Sequence, residues 1–286
     1  MSEEIREGCE PSECGKSPAC AGCKSNPNNA QAEPKKEPPK VRKVIGVVSG
    51  KGGVGKSLVS AQLAVMLRRK GYRVGLLDAD ITGPSAPKMF GIKEKALGDG
   101  ERILPARTHN DIELMSINML LETDDTPVIW RGPILAGVVT QFWEDVEWGE
   151  LDVMIIDCPP GTGDVPLTVF QSIPVDGIVV VTTPQDLVGM IVRKAVNMAN
   201  MMNIPVLGLI ENMSYAVCPD CGATFELFGK SRVAEEAAKL DLPVLARLPI
   251  DPQVAHLCDQ GEIERVDGKA ISDAVDVIEA LVGLLL

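Results

Sequence analysis

Eight consecutive residues, Gly50-Lys51-Gly52-Gly53-Val54-Gly55-Lys56-Ser57, fit the phosphate-cradling pattern G-x-x-x-x-G-K-[ST]. Glycines at these positions let successive backbone N–H groups turn inward on a phosphate. A helix opening directly afterwards adds the favourable field of its N-terminus. Lys56 is placed to reach the β- and γ-phosphates, and the Ser57 hydroxyl to ligate Mg²⁺. Two apolar runs that end in acid follow: Leu76-Leu77-Asp78-Ala79-Asp80 and Val153-Met154-Ile155-Ile156-Asp157. A carboxylate at the end of a buried strand suits Asp157 to hold Mg²⁺ through water.

The second chemistry-bearing set is sulfur. Cys9, Cys14, Cys20 and Cys23 crowd the first 23 residues, Cys218-Pro219-Asp220-Cys221-Gly222 forms a pair, and Cys158 and Cys258 stand alone. Clustered thiols in a reducing compartment read as metal ligands before disulfides. Two thiolates do not complete a tetrahedral zinc site or hold a [4Fe–4S] cluster, which take four protein ligands. Three completions stay open for Cys218 and Cys221. A symmetric dimer supplies the pair twice across its two-fold axis, Cys20-x-x-Cys23 closes a zinc-ribbon-like site, or the pair is a redox dithiol. Cys9, Cys14, Cys20 and Cys23 suffice for a [4Fe–4S] cluster, for zinc, or for thiols that relay or capture metal. Cys158 reads as a buried small residue and Cys258 as structural on a short helix. His109 and His256 lack ligand spacing, and Met198, Met201 and Met202 on one helix read as packing.

These residues need a scaffold, and the chain shows one. Strands are expected at Val44–Ser49, Arg73–Leu77, Val153–Ile156, Gly177–Val181, Val206–Ile210 and Val244–Leu248. Helices are expected at Lys56–Arg69, Leu187–Met202, Ser231–Lys239 and Lys269–Leu286. Continuous apolar strands interleaved with amphipathic helices predict an α/β fold, a mostly parallel sheet covered by helices on both faces. Residues 1–41 read as a flexible cysteine-containing tail and linker. The run from Lys24 to Lys40 has several prolines and almost no large apolar residue, so it buries too little surface to offset the entropy of ordering. The organised domain is expected over residues 42–286.

Composition narrows the function classes. The chain has 286 residues with 28 basic and 40 acidic side chains, a net charge of −12, and aromatic residues make up 3%. That balance argues against general affinity for nucleic acid or anionic lipid, and the few aromatics against a single-strand stacking platform. No stretch approaches the roughly 20 apolar residues of a membrane span. The Met1-Ser2-Glu3-Glu4 start lacks the basic and apolar regions of a secretory signal, so a soluble, cytoplasmic protein is expected.

The variant G-K-G-G-x-G-K-S resembles the deviant Walker A loop of the family that includes MinD, ParA, the nitrogenase iron protein and the Mrp-type carriers (SIMIBI-like P-loop NTPases). The resemblance implies that Lys51 crosses a dimer interface to the partner's nucleotide, a cation supplied in trans to developing phosphate charge. It implies that Asp80 is the switch I aspartate, which orients the attacking water or assists Mg²⁺; Asp78 is the second candidate for that part, or only caps the following turn. Cys158-Pro-Pro-Gly-Thr-Gly-Asp164 resembles a switch II loop, with Asp164 structural or switch-linked. Asn212, expected at the end of a strand, matches the asparagine that reads the adenine edge.

Together with Leu77-Asp-Ala-Asp-Ile-Thr-Gly-Pro-Ser85, Trp130-Arg131-Gly132-Pro133, Glu211-Asn-Met-Ser214 and Cys218-x-x-Cys221, these motifs look like the Mrp/ApbC and Nbp-type iron–sulfur cluster carriers over residues 42–270. That resemblance implies ATP and ADP binding with Mg²⁺, slow hydrolysis, and a homodimer. It further implies that the C-x-x-C pairs of the two subunits hold a labile bridging [4Fe–4S] cluster, passed to apo-proteins. The segment Lys16–Cys23 resembles the N-terminal motif of the eukaryotic-type branch but departs from it. That branch has one more cysteine soon after its C-x-x-C, whereas here none follows Cys23 until Cys158. Trp130–Pro133 is assigned packing. Two other readings are a MinD/ParA-like positioning ATPase and an ATP-coupled iron–sulfur reductase. Against the first, Ala270–Leu286 contains no Lys or Arg but has Asp273, Asp276 and Glu279. Against the second, the reductase's cluster cysteines are widely separated.

Overall fold

The computed structural model of the protein describes residues 38–80, 85–98, 103–120, 132–184 and 188–283. Cys9, Cys14, Cys20, Cys23, Trp130, Arg131 and the side chain of Asp164 lie outside this set, and with them the expectations placed on them.

In chain order the elements are β1 (Val41–Ser49), α1 (Lys56–Arg69), β2 (Val74–Asp78), α2 (Ala86–Met89), β3 (Leu97–Gly98), β4 (Ile103–Leu104), β5 (Ala106–Arg107) and β6 (Glu113–Ser116). Then follow α3 (Gly132–Glu144), β7 (Leu151–Asp157), α4 (Asp164–Ser172), β8 (Gly177–Thr182), α5 (Val188–Met201) and β9 (Val206–Val217). The last are β10 (Thr224–Phe225), α6 (Val233–Lys239), β11 (Val244–Ile250), α7 (Pro252–Gln260) and α8 (Ser272–Gly283).

Seven strands run parallel in the order β11-β9-β8-β1-β7-β2-β6, with helices on both faces. Antiparallel β5 closes one edge, and β10 turns back along the distal end of β9. Every residue of β2 and β8 is buried, as expected of strands covered on both sides. The β-branched run Gly177-Ile-Val-Val-Val-Thr182 can only be satisfied there. Pro249 is accommodated because β11 is an edge strand with one neighbour.

The chain leaves β1 toward β2 on one side and later returns to β8 on the other. A crevice therefore opens at the C-terminal ends of the central strands, where ligands bind in open α/β sheets. Register sets what lines it: Val47 pairs with Asp157 across β1–β7, and Asp78 pairs with Asp157 across β2–β7. α8 buries Ala274, Val275, Ile278 and Val282, while its acids Asp276 and Glu279 pair with Lys70 at the end of α1. No helix of the described residues is long and apolar enough to cross a membrane.

Candidate functional site

The phosphate loop leaves β1 after Ser49 and enters α1 at Lys56, so strand, loop and helix stand as the sequence predicts. The Ser49 hydroxyl donates to the carbonyl of Lys51 at 3.0 Å, tightening the first turn of the loop. Gly55 precedes the helix with φ +81°, the left-handed region that glycine enters at no steric cost. No side chain caps α1, which leaves its first-turn amides to a ligand. A cavity of about 550 Å³ opens over the loop, lined by Gly52, Gly53, Lys56, Ser57, Asp80 and Cys258 among others.

Lys56 is buried and its ammonium lies 2.6 Å from Oδ1 of Asp157 and 3.6 Å from Oδ2 of Asp80. Burial acts to lower its pKa, but the charges of Asp157 and Asp80 prevail and hold it above the ordinary lysine range. Asp157 Oδ1 also accepts from Ser60 Oγ at 3.0 Å, and the nearby Ser57 hydroxyl acts with it to lower the carboxyl's pKa. Burial pushes the Asp157 carboxyl upward against these partners. Its second oxygen, Oδ2, is buried with no hydrogen-bond partner among the described residues. An orphaned carboxylate oxygen beside a serine hydroxyl at the floor of a phosphate cavity is what a hard divalent cation or its water shell satisfies. Ser57, Asp157 and Asp80 therefore fit Mg²⁺.

Asp78 does a different job from Asp80. It is fully buried, and burial and then the charge of Asp157 push its carboxyl up to about 8. Its oxygens accept from the amides of Asp80 at 3.1 Å and Ala86 at 3.2 Å, while Ser116 Oγ lies 3.2 Å away. It thus pins both ends of the segment that carries Asp80, a role wider than capping one turn.

Asn212 does not end its strand. β9 runs on to Val217, and Asn212 sits inside it, 3% exposed, its Nδ2 donating to the Val54 carbonyl of the phosphate loop at 3.0 Å. A Cβ on Gly55 would stand 2.1 Å from that Nδ2, so Gly55 is required twice, for its φ and for this approach. The residues 212–214 depart from regular strand geometry, with Met213 at φ +56°, which is why periodicity alone stops the strand at Ile210. Beside Asn212 lies a second cavity of about 480 Å³, lined by Leu58, Met213, Leu248, Ile250 and Val254 among others. Leu58 and Ala255 border both cavities, so the apolar one continues from the phosphate loop.

The thiol pair sits at the far end of β9. The Cys218 amide donates to the Ala223 carbonyl and the Gly222 amide to the Cys218 carbonyl, each at 2.9 Å, closing a tight hairpin into β10. Both thiols are free, Cys221 exposed and Cys218 half-buried. The pKa of Cys218 is lowered, first by the nearby backbone amides of Cys221 and Asp220 and then by the Cys221 thiol. Amides near sulfur stabilise the thiolate, the form that binds metal. Among the described residues no group of three or more His, Cys, Asp or Glu side chains could hold a metal ion.

Cys158 is fully buried, its thiol pushed up to about 12 by burial. Cys258, expected to be structural on a short helix, is carried by α7 but lines the phosphate cavity next to Asp259. Nothing in its spacing signals that position. His109 and His256 are exposed. Met198 is packed, as expected, whereas Met201 is 79% exposed. Lys51 is half-buried in the loop beside Gly52.

The parallel sheet, the loop opening α1 and the acids at the ends of β2 and β7 define a P-loop NTPase of the MinD/ParA architecture. A ParA family profile, described as the NUBPL iron-transfer P-loop NTPase, matches residues 40–283, and the chain belongs to this family of Mrp/ApbC- and Nbp-type carrier ATPases. An iron–sulfur cluster carrier protein of Clostridium perfringens is 47% identical over 232 residues, covering 78% of this chain and 81% of that protein. A protein of the same name from Methanococcus maripaludis is 40% identical over 284 residues, 98% of each chain. Among solved structures, a nucleotide-binding protein from Archaeoglobus fulgidus in complex with ADP superposes with a TM-score of 0.72. It is 43% identical and covers 79% of this chain and 89% of its own. MinD of Pyrococcus horikoshii, 20% identical with a TM-score of 0.63 over 85% of this chain and 98% of its own, shares the fold.

Proposed function

We propose that this chain is a cytoplasmic, ATP-binding and slowly hydrolysing homodimer that carries a labile [4Fe–4S] cluster and transfers it to apo-proteins. The observation that carries the reading is the Cys218–Cys221 hairpin, a tight turn that carries two free thiols. It directly follows the strand whose Asn212 grips the phosphate loop. Two copies related by a two-fold axis supply four thiolates, the number a [4Fe–4S] cluster takes. The names of the relatives from Clostridium perfringens and Methanococcus maripaludis support the cargo. The ADP complex of the Archaeoglobus fulgidus protein supports the nucleotide.

In this reading the phosphates lie on Gly50–Gly55 and the first turn of α1, and the base enters the apolar cavity beside Asn212. Lys56 leaves Asp157 for the β- and γ-phosphates, Asp80 orients water, and Lys51 reaches the partner's nucleotide. Mg²⁺, held by Ser57, Asp157 and Asp80, neutralises charge on the phosphate oxygens when bound. Cys9, Cys14, Cys20 and Cys23 bind a further cluster or zinc, or relay metal to the hairpin. Neither membrane nor nucleic acid is a partner.

The test is anaerobic reconstitution with iron and sulfide, followed by metal counting per dimer and transfer to an apo-protein. The wild type should hold about four irons per dimer beyond any bound by the N-terminal cysteines, and Cys218→Ala/Cys221→Ala should lose these four, the labile cluster, and its transfer. Wild-type protein that takes up no iron, or a double variant that transfers normally, overturns the proposal.

A further inference from the structure

Between the nucleotide cavity and the thiol hairpin lies a polar cluster that the proposed chemistry does not use. Glu211 is fully buried, yet its carboxylate accepts from Ser214 Oγ at 2.5 Å, from Ser231 Oγ at 2.8 Å and from Arg247 Nε at 3.4 Å. Arg247 Nε lies closer to Ser214 Oγ, at 2.8 Å, and its other arm donates to Glu226 Oε1 at 3.2 Å. Glu226 directly follows β10, the return strand of the hairpin. Arg247 thus holds the hairpin's far arm with one end and the middle of β9 with the other.

The middle of β9 is where the strand is irregular. Its pairing with β11 jumps from Glu211↔Arg247 to Tyr215↔Pro249, so Asn212, Met213 and Ser214 stand against Leu248 alone. Met213, at φ +56°, is in the left-handed region, which a non-glycine residue occupies only when its surroundings hold it there. Asn212 and Met213 line the base-side cavity, and so does Leu248, the residue after Arg247. Ser214, next in the bulge, faces the other way onto Glu211 and Arg247. Whatever presses on the cavity wall therefore presses on the residues that seat Arg247.

We propose that Arg247 is a positioning residue that couples occupancy of the base-side cavity to the setting of the Cys218–Cys221 hairpin, through Ser214 and Glu211 inward and Glu226 outward. The inference rests on the nucleotide reading of the two cavities and deepens it, because it names the path by which nucleotide state reaches the thiols. The path is short. One bulge, one guanidinium and one carboxylate separate the cavity from β10.

The experiment uses reduced, cluster-free, full-length protein treated with iodoacetamide with and without Mg·ADP, with each cysteine followed by peptide mass spectrometry. Cys258, in the phosphate cavity, reports occupancy internally and should be protected by nucleotide in every variant. In the wild type, ADP should change the alkylation rate of Cys218 and Cys221 about fivefold or more, the lower end of ordinary coupling between sites. In Arg247→Ala and in Glu226→Ala that ratio should fall to near one while Cys258 protection and the ADP titration stay as in the wild type. Glu226 is partly exposed and lies outside the buried carboxylate's shell, so its variant decides the matter if Arg247→Ala does not fold. A wild type whose hairpin thiols ignore ADP overturns the inference. So does a Glu226→Ala variant that keeps the full response, the result expected if a second copy merely covers the hairpin. Failure of Cys258 protection with no ADP binding would instead bring down the nucleotide reading beneath it. Iron plays no part in the readout, so the outcome is separate from that of cluster reconstitution.

Discussion

Lys56 Nζ and Asp157 Oδ1 stand 2.6 Å apart, a buried ion pair that joins the first residue of α1 to the last residue of β7. The lysine expected on phosphate is thus held by the acid expected on metal. In the proposed reading, Mg²⁺ and nucleotide bound together would give both groups new partners at once, so that neither charge would be left bare in a dry site, where an unpaired charge is costly. The orphan Oδ2 of Asp157 marks where that exchange is incomplete without the cation.

Asp157→Asn tests this exchange. The amide keeps the size of the side chain but offers one oxygen where the carboxylate offers two. ATP hydrolysis should fall about 100-fold or more. In an ADP titration, the gain in affinity that Mg²⁺ gives the wild type should vanish, while Mg²⁺-free binding persists. If Mg²⁺ strengthens ADP binding equally in both proteins, Asp157 is not the metal's acid.

Gly55→Ala and Gly52→Ala form a contrasting pair. At Gly55 the new methyl meets Asn212 Nδ2 at 2.1 Å and the backbone is held at φ +81°. The variant should lose about 1–3 kcal/mol of stability from strain and the broken Asn212–Val54 bond. A Cβ at Gly52 meets nothing within 4 Å and its φ is ordinary, so the unliganded protein should melt as the wild type does. Thermal unfolding without nucleotide separates the two, and equal melting temperatures would falsify the role given to Gly55.

The phosphate loop, the acids of β2 and β7 and the C-x-x-C pair were legible because each is contiguous, with its chemistry written in residue type and spacing. The central strands were legible for a related reason: burial on both faces leaves an unbroken β-branched run. What escaped is assembled across distance. The group Glu211, Ser214, Glu226, Ser231 and Arg247 comes from three parts of the chain and has no spacing signature. β9 beyond Ile210 escaped because a bulge interrupts the period. Strands of two residues such as β3, β4, β5 and β10 carry no period at all, and α2, α3 and α4 went unread. Cys258 reached the phosphate cavity because α7 folds back over the loop, a tertiary placement that no local pattern announces.

The N-terminal ends of β1, β2 and β7 are tied by Asp152, and acid should loosen them. Its carboxylate accepts from the Arg73 guanidinium at 3.0 and 3.1 Å, from the Arg73 amide at 2.9 Å and from Arg42. The Arg73 side chain, with its amide, holds Asp152 down at about 2. A folded-state value below the unfolded one of about 3.9 means the contribution is complete above pH ~4 and is lost as the pH falls toward 2. Arg73 is half exposed, and solvent screening reduces the contribution to about 1 kcal/mol. Asp152→Asn should therefore be less stable than the wild type at pH 7 in urea unfolding, with the gap closing below pH ~3. A gap that stays constant down to pH 2 removes the ionic part of this account.

The described thiols should separate by pH in the cluster-free protein, because hairpin, helix and core treat sulfur differently. The Cys218 thiol is moved down, first by the nearby amides of Cys221 and Asp220, so its alkylation should rise at a pH below that of an ordinary thiol, about 8.5. Cys258 is half-buried, and burial, with Asp259 beside it, moves its thiol the other way. Its profile should lie to the alkaline side of Cys218. Cys158, with no exposed surface and a thiol pushed up to about 12, should stay unmodified until the fold opens. Rates measured from pH 6 to 10 by peptide mass spectrometry give the three profiles in one experiment. Cys218 titrating at or above Cys258 would mean that the hairpin does not hold a prepared thiolate. The first step of metal capture at Cys218 would then have to be the loss of a proton from an ordinary thiol.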